Sequence, residues 1–116
     1  MKNLCKIRDI QRIITIYESG FEKKFSICLN EGMALCSLKD SDNLTPGELS
    51  DMLGLTSSNM SKVLRSVEKK GYVVRVVGDK DRRTMCFSLT QKGKELVSSL
   101  RCEETDMTEL LKIIQE

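Results

Sequence analysis

The stretch from Leu55 to Leu89 reads L-T-S-S-N-M-S-K-V-L-R-S-V-E-K-K-G-Y-V-V-R-V-V-G-D-K-D-R-R-T-M-C-F-S-L. Its first half has the pattern of an amphipathic helix, because apolar side chains recur at helical spacing: Met60, Val63, Leu64 and Val67. Thr56 precedes this helix as a good N-cap, since its side-chain oxygen can accept a hydrogen bond from a free amide of the first turn. Gly71 follows it, where a left-handed C-cap is expected. The pattern therefore predicts a helix over residues 57–70.

The face of this helix opposite the apolar stripe is polar and carries no acid. It combines small hydroxyl groups near the helix start with long cations behind them: Ser58, Ser61, Lys62, Arg65 and Lys69. Charged and hydroxyl side chains are rarely buried without partners, so we expect this face to be exposed.

The second half of the stretch predicts a β-hairpin. Val73 to Val77 is a β-branched run, and Thr84 to Leu89 is a second strand of roughly alternating character. The connection G-D-K-D-R-R, from Gly78 to Arg83, is too polar to be buried. Residues 56–83 contain eight cations and three acids, a net charge of +5, although the whole chain carries only +2. Such a concentration of positive charge is typical of a phosphate-binding surface.

A shorter helix is predicted immediately before this stretch. Thr45 can act as its N-cap, Pro46 occupies the first helical position, and Glu48 completes a capping box. The apolar face of this helix consists of Leu49, Met52 and Leu53. Gly54 ends the helix, and a short turn leads into the next one. Two helices joined in this way form a helix-turn-helix motif.

The N-terminal part predicts a helix from Leu4 to Ser19 that ends at Ser19-Gly20. Its apolar seam recurs at spacings of three and four: Ile7, Ile10, Ile14 and Tyr17. Such a helix is either a core helix of the monomer or part of a dimer interface. Residues 21–29 are compatible with a loop, a short strand or a continuation of the helix. Asn30 is expected to cap a second helix with the stripe Met33, Ala34, Cys36 and Leu38.

After the hairpin, Thr90 is expected to cap a further helix that has Gly93, Leu96, Val97 and Leu100 on one face. The terminal segment carries an apolar stripe among acidic residues: Met107, Leu110, Leu111 and Ile114. This stripe needs a partner, which is either the first helix of the same chain or a second protomer. The predicted fold class is mainly α with a small β-hairpin.

Bulk properties indicate one soluble domain. The chain has 116 residues, with 40% hydrophobic and 31% charged side chains. The longest run without a charge, residues 52–61, is too short for a membrane span. Lys6, Arg8 and Asp9 interrupt any apolar region of a signal peptide. We therefore expect a cytoplasmic protein with no membrane partner.

The composition argues against metal, cofactor and enzyme chemistry. The five cysteines are widely spaced, no C-x-x-C pair exists, and the chain has no histidine. A zinc site and a disulfide framework are therefore unsupported, and the cysteines are interpreted as small hydrophobic residues. No glycine-rich phosphate loop or paired carboxylates are present. We expect no cofactor, no metal and no catalytic residue.

The run from Leu44 to Glu95 resembles the winged helix-turn-helix core of the MarR family of bacterial transcription regulators. The matching motifs are L-T-P-G-E-L-S-D-M-L-G-L-T, S-x-V-L-R-S-V-E-K-K-G-Y-V-V-R, D-K-D-R-R and L-T-Q-K-G. The resemblance implies a homodimer that binds palindromic double-stranded DNA, with a repressor role expected. It also implies a single domain (1–116), with dimerisation helices at 1–20 and 91–116 around a DNA-binding lobe (30–89). In that lobe the helix-turn-helix spans 45–70 and the wing 73–89.

Carried onto this sequence, the resemblance places one helix in the major groove and the wing near the minor groove. Arg83 matches the wing arginine of the family, and Asp81 matches the acid that orients it. Alternatively, Asp81 and Arg83 form a salt bridge that only shapes the turn. The DNA-binding residues expected are Thr56, Ser57, Ser58, Asn59, Ser61, Lys62, Arg65, Lys69, Lys80, Asp81, Arg82 and Arg83.

Two further questions stay open at this point. Cys5 is either an ordinary interfacial cysteine or an oxidant sensor, as a cysteine near the first helix is in some family members. A small aromatic ligand is an equally open candidate effector, and the sequence identifies none. The cationic surface also fits a different function, a winged-helix protein-protein interaction module that meets an acidic partner and has no operator of its own.

Overall fold

The computed structural model describes residues 2–77 and 84–102, together with Lys112 and Gln115. In this part of the chain, five helices and two strands follow one another: α1 (Lys2–Phe25), α2 (Leu29–Asp40), α3 (Pro46–Leu53), α4 (Ser57–Lys69), β1 (Val73–Val77), β2 (Met85–Leu89) and α5 (Gln91–Cys102). The predicted fold class, mainly α with a small hairpin, is confirmed. One compact unit holds α1, and a second spans Asn30–Cys102.

Helix α1 does not end at Ser19-Gly20, so that prediction is wrong. The helix continues to Phe25 and stops at Ser26, whose φ is +59°. Aromatic rings at successive turns favour the continuation, because the Phe21 ring centroid lies 5.9 Å from that of Tyr17 and 5.0 Å from that of Phe25. A glycine inside a helix costs only about 1 kcal/mol relative to alanine. Aromatic pairs contribute about 0.5–1.5 kcal/mol each, so two such contacts can offset that cost.

Helix α2 also differs from the sequence prediction. It begins at Leu29, so Asn30 lies inside the helix and is not its N-cap. Its buried residues are Glu31, Gly32, Ala34, Leu35 and Leu38. Met33 is 40% exposed, and Cys36 is half-buried, so the predicted stripe is only partly correct. The buried face begins with an acid, Glu31, which a stripe drawn from apolar residues alone leaves out. The predicted stripe is therefore rotated relative to the face that is buried.

The helix-turn-helix is present as predicted. The Glu48 amide donates to Thr45 Oγ1 at 3.1 Å, and the Thr45 amide donates to Glu48 Oε1 at 3.0 Å, which completes the capping box. Gly54 adopts the left-handed conformation at φ +68° and ends α3. The amide of Leu55 then donates to the Ser50 carbonyl at 3.0 Å, so the turn between the helices is hydrogen-bonded as well.

The core of the Asn30–Cys102 unit draws on every helix in it. The predicted stripe of α4 is buried throughout, and its Met60 and Val67 are almost completely inaccessible. Other fully buried side chains of this unit are Leu35, Leu38, Leu49, Val73 and Val97. These residues fix α4 with its apolar face inward, which leaves the opposite face for solvent or a partner.

The two strands form an antiparallel hairpin in which Val73 pairs with Leu89 and Val77 pairs with Met85. A bridge connects this hairpin to the residue before the capping box, because the Phe87 amide donates to the Leu44 carbonyl at 2.9 Å. The wing is therefore attached to the start of the helix-turn-helix by backbone hydrogen bonding.

Thr90 connects the end of α4 with the start of α5, as a side-chain cap and as a cross-link. Its Oγ1 accepts from the Gly93 amide at 3.0 Å, as expected for an N-cap, and donates to the Gly71 carbonyl at 2.6 Å. Its amide donates to the Tyr72 carbonyl at 3.0 Å. Gly71 itself has φ +86°, as predicted for the residue after α4. We refer to Gly71, Tyr72, Thr90 and Gly93 as the Thr90 joint.

No helix within the residues that the structure describes is long and apolar enough to cross a lipid bilayer. The predicted terminal stripe of Met107, Leu110, Leu111 and Ile114 lies outside those residues.

Candidate nucleic-acid interface

The outer face of α4 is exposed along its whole length. Every predicted site residue on this helix and its cap is exposed: Thr56, Ser57, Ser58, Asn59, Ser61, Lys62, Arg65 and Lys69. At 100° per residue, four of them fall within roughly 60° of one another, directly opposite the buried stripe. These four are Ser58, Lys62, Arg65 and Lys69. We call this surface the α4 outer face.

The first turn of α4 is fixed by its cap. Thr56 has an extended backbone (φ −68°, ψ 158°), and its Oγ1 accepts from the Asn59 amide at 3.1 Å. The Thr56 carbonyl accepts from the Met60 amide at 2.9 Å. The side chains of Ser57, Ser58 and Asn59 form no hydrogen bond with the described residues. Their donors and acceptors are therefore presented to solvent on a rigid turn.

The cations near α4 divide into two classes. Lys62, Arg65 and Lys69 form no ion pair with any residue that the structure describes. Lys70 instead pairs with Glu31, with Nζ 3.0 Å from Oε2, and Arg75 pairs with the acid of α4. The net charge of the sequence does not distinguish paired cations from unpaired ones. The structure assigns Lys70 and Arg75 to internal contacts and leaves the α4 outer face with cations that have no partner among the described residues.

Arg75 joins three elements through one guanidinium group. Its Nε donates to Glu68 Oε2 at 2.9 Å, and its Nη2 donates to Glu68 Oε1 at 3.2 Å. Its Nη1 lies 3.7 Å from the sulfur of Met85, and its central carbon lies 5.7 Å from the ring centroid of Phe87. This Arg75 clamp connects α4 with both wing strands. It also neutralises Glu68, the one acid in α4, beside the exposed cations.

A groove of about 150 Å³ lies between the start of α3, the middle of α4 and the wing. Its lining combines apolar surface with two arginines: Pro46, Ser61, Leu64, Arg65, Arg75, Met85 and Phe87. Sequence reasoning missed this groove and the Arg75 clamp, because their residues are separated along the chain and no local pattern relates them.

The wing tip, with its predicted site residues Lys80, Asp81, Arg82 and Arg83, lies outside the described residues. The roles given to these four residues therefore stay predictions.

Cys5 is exposed on α1 and is a free thiol. The neighbouring cation Arg8 is already engaged, because its Nε lies 3.2 Å from Asp9 Oδ1. The hydrogen bond from Arg8 to Asp9 and the charge of that carboxylate raise the pKa of Arg8. Of the other described cysteines, Cys86 is buried, whereas Cys28 and Cys36 are partly exposed. The interpretation as a small buried hydrophobic residue therefore fits Cys86 best.

Comparison with known proteins places this geometry in a family. Residues 33–102 match the winged helix DNA-binding domain family. The HTH-type transcriptional regulator PapX of Escherichia coli is 33% identical over 94 residues, which cover 68% of this chain but only 57% of PapX. The HTH-type transcriptional regulator SarZ of Staphylococcus aureus is 30% identical over 101 residues, which cover 85% of this chain and 68% of SarZ.

Solved structures give the same fold. The S. aureus MepR–DNA complex aligns with a TM-score of 0.68 and 27% identity, over 91% of this chain and 89% of MepR. Wild-type MarR of E. coli in its apo form aligns with a TM-score of 0.74 over 94% of this chain and 90% of MarR, and at 18% identity it supports the fold alone. The named relatives are transcriptional regulators and not enzymes, which agrees with the sequence prediction. The chain therefore belongs to the winged helix DNA-binding domain family, and its relatives in that family include HTH-type transcriptional regulators.

Proposed function

We propose that the protein is a sequence-specific double-stranded DNA-binding regulator that acts as a homodimer on a palindromic operator and represses by blocking access to it. The observation that carries this proposal is the α4 outer face. It presents Lys62, Arg65 and Lys69 without partners among the described residues, while Glu68 is neutralised by Arg75. A surface with unpaired cations and no free acid favours a polyanion.

In this mechanism α4 enters the major groove with its first turn nearest the bases. The N-terminal residues of a recognition helix contact base edges, and residues further along it contact the backbone. Asn59 offers the paired donor and acceptor that match an adenine edge, whereas Lys62 and Arg65 provide charge for phosphates. By its match to the wing arginine of the resembling family, Arg83 is assigned to the minor groove, with Asp81 as the acid that would orient it. The similarity of this chain to MepR, which was solved in complex with DNA, supports DNA as the partner.

The homodimer is supported by apolar surface on α1. Ile7 is 51% exposed, and Leu4 and Ile14, which at 100° per residue lie on the same side of the helix, are exposed as well. Contiguous apolar exposure of this kind marks interaction surfaces. Sedimentation velocity tests the assignment: Ile7→Lys should shift the protein towards monomer, whereas Lys23→Glu, an exposed charge reversal on the same helix, should not. An unchanged dimer in Ile7→Lys, or a wild-type monomer, contradicts it.

DNA binding is tested by fluorescence anisotropy at several salt concentrations, on a duplex enriched by the wild-type protein from a random library. Lys62→Ala, Arg65→Ala and Arg83→Ala should each weaken binding. Each should also flatten the slope of log K against log salt by about 0.9 for every phosphate that the variant no longer neutralises. Lys94→Ala removes an exposed lysine from α5 and is the matched control. If no duplex is enriched, the winged-helix protein-contact function is favoured instead.

A small aromatic anion is the proposed effector that the groove fits best. The groove offers about 150 Å³ and is partly open to solvent; an enclosed apolar cavity of about that volume holds one benzene ring. Leu64, Met85 and Phe87 provide apolar lining. Of the two arginines in the groove, Arg75 pairs with Glu68, whereas Arg65 does not and is therefore available to an anion. A ligand there would compete with DNA for Arg65. Titration with benzoate should release wild-type protein from its duplex, and Phe87→Ala should weaken this effect.

The alternative effector is an oxidant acting on Cys5. Peroxide treatment should then lower the affinity for the duplex in wild type but not in Cys5→Ser. An equal response of the two proteins excludes Cys5 as the sensor.

A further inference from the structure

Glu31 is an acid at the start of the buried face of α2. Its relative exposure is 5%, and apart from Ser50 it is the one buried polar residue within the part of the chain that the structure describes. A carboxylate is not stable in such a place unless its oxygens accept several hydrogen bonds or meet an opposite charge. The residues that fulfil this requirement therefore show what Glu31 holds in place.

Two partners of Glu31 lie at the C-terminal end of α4: Ser66 in its last turn and the cap residue Lys70 directly after it. Ser66 Oγ donates to Glu31 Oε2 at 2.7 Å. Lys70 Nζ donates to both carboxylate oxygens, at 3.2 Å to Oε1 and 3.0 Å to Oε2. Ser66 and Lys70 are four positions apart, so one carboxylate of α2 contacts two successive turns at the end of α4. Charge-assisted hydrogen bonds of this type fix direction as well as distance.

This contact lies at the opposite end of α4 from the residues that face DNA bases in the proposed function. Asn59 is roughly 10 Å along the helix axis from Ser66. A rotation of α4 by roughly 10° about its anchored end would displace the first turn by about 2 Å, whereas hydrogen-bond distances vary over only about 0.5 Å. Lysine and arginine contacts to phosphates tolerate such a shift better, because their side chains are long and flexible.

We propose that Glu31 is a positioning residue, which fixes the orientation of α4 through Ser66 and Lys70 and thereby sets the discrimination between the operator and other duplexes. This inference rests on the proposed DNA-binding function. Apolar packing of α4 supplies stability without direction, whereas the Glu31 hydrogen bonds define one orientation of the helix. Loss of Glu31 should therefore reduce sequence discrimination more than general affinity for DNA.

The test uses full-length protein and two duplexes, one enriched from a random library by the wild type and one with the same bases scrambled. The measured quantity is the ratio of the two dissociation constants. Glu31→Ala and Ser66→Ala should each lower this ratio, by about tenfold for Glu31→Ala, because each misplaced base contact costs a factor of this order. Affinity for the scrambled duplex should change by less than about threefold.

Two further variants make the readout specific. Glu31→Gln has nearly the same shape and can still accept from Ser66, so its ratio should lie between those of wild type and Glu31→Ala. Glu95→Ala removes an exposed acid from α5 and controls for the change in net charge. Circular dichroism selects the temperature at which every variant is folded. If Glu31→Ala does not fold at any temperature, Ser66→Ala alone provides the test.

The outcomes distinguish the positioning role from the proposed function. If the wild type enriches no duplex, the proposed function fails. If it does enrich one, and Ser66→Ala together with any folded Glu31→Ala keeps the wild-type ratio or loses affinity equally for both duplexes, the positioning role of Glu31 is wrong.

Discussion

Arg75 of β1 and Glu68 of α4 form a two-point ion pair, with Nε 2.9 Å from Oε2 and Nη2 3.2 Å from Oε1. The two side chains are 50% and 32% exposed, so water and salt reach the pair. The geometry of the pair fixes the wing relative to α4, but screening by water and salt limits its contribution to the free energy of unfolding. Exposed pairs of this kind contribute between about 0.2 and 1 kcal/mol.

A double-mutant cycle should measure this contribution. In the cycle of Glu68→Gln and Arg75→Gln, the coupling free energy from urea unfolding should be below about 1 kcal/mol at low salt. It should fall further at 1 M salt, where the Debye length is only about 3 Å. A coupling that exceeds about 2 kcal/mol, or one that does not respond to salt, would show that the pair is better shielded than its exposure indicates.

Two glycines in helices should respond to alanine in opposite directions. A Cβ at Gly93 would overlap the carbonyl oxygen of Tyr72 and crowd a methyl group of Leu89, at 3.1 Å. Because the obstacle is backbone, Gly93→Ala should destabilise the fold by about 2–3 kcal/mol or more. A Cβ at Gly20 meets nothing within 4 Å, so Gly20→Ala should stabilise α1 by roughly 0.5–1 kcal/mol.

Thermal and urea unfolding of the two alanine variants check this pair. If the two variants change the free energy of unfolding equally, α5 can shift away from Tyr72 without a loss of stability. The Thr90 joint would then be less rigid than its hydrogen bonds indicate.

The capping box of α3 should have a measurable effect on stability. Thr45→Ala removes the acceptor for the Glu48 amide and should lower the free energy of unfolding by about 1 kcal/mol. Thr45→Ser keeps the oxygen and should retain most of the stability. If serine is as damaging as alanine, the methyl group of Thr45 and not its hydrogen bond is responsible.

The cysteines should differ in accessibility to a thiol reagent. Cys5 is exposed, so it should react rapidly with 5,5′-dithiobis(2-nitrobenzoate) in the folded protein. Cys86 is only 5% exposed and should react when the protein unfolds. Cys86→Ser should destabilise the fold by about 1–3 kcal/mol if the hydroxyl finds no partner, whereas Cys5→Ser should be nearly neutral. Rapid labelling of Cys5→Ser protein at Cys86 would contradict the burial.

Local patterns in the sequence predict the helix-turn-helix closely. Thr45, Pro46 and Gly54 each perform the role that their chemistry indicates, because caps and left-handed turns depend on a few adjacent residues. The stripe of α4 is equally local. These features account for the fold class and for the exposed cations of α4.

Other features depend on contacts between distant residues, which no local pattern encodes. Gly20 resembles a helix end, but the ring contacts of Phe21 carry the helix past it. Glu31 resembles an exposed acid, although Ser66 and Lys70 make its burial possible. The pairing of Arg75 with Glu68 likewise requires the hairpin to be folded back on α4.

The Thr90 joint has a mechanical consequence. One hydroxyl group holds the carbonyl of Gly71 and the amide of Gly93, and the Thr90 amide holds the carbonyl of Tyr72. The residues directly after α4 and those at the start of α5 are therefore joined by hydrogen bonds. A movement of α5 must therefore either displace the C-terminal end of α4 with it or break these three hydrogen bonds.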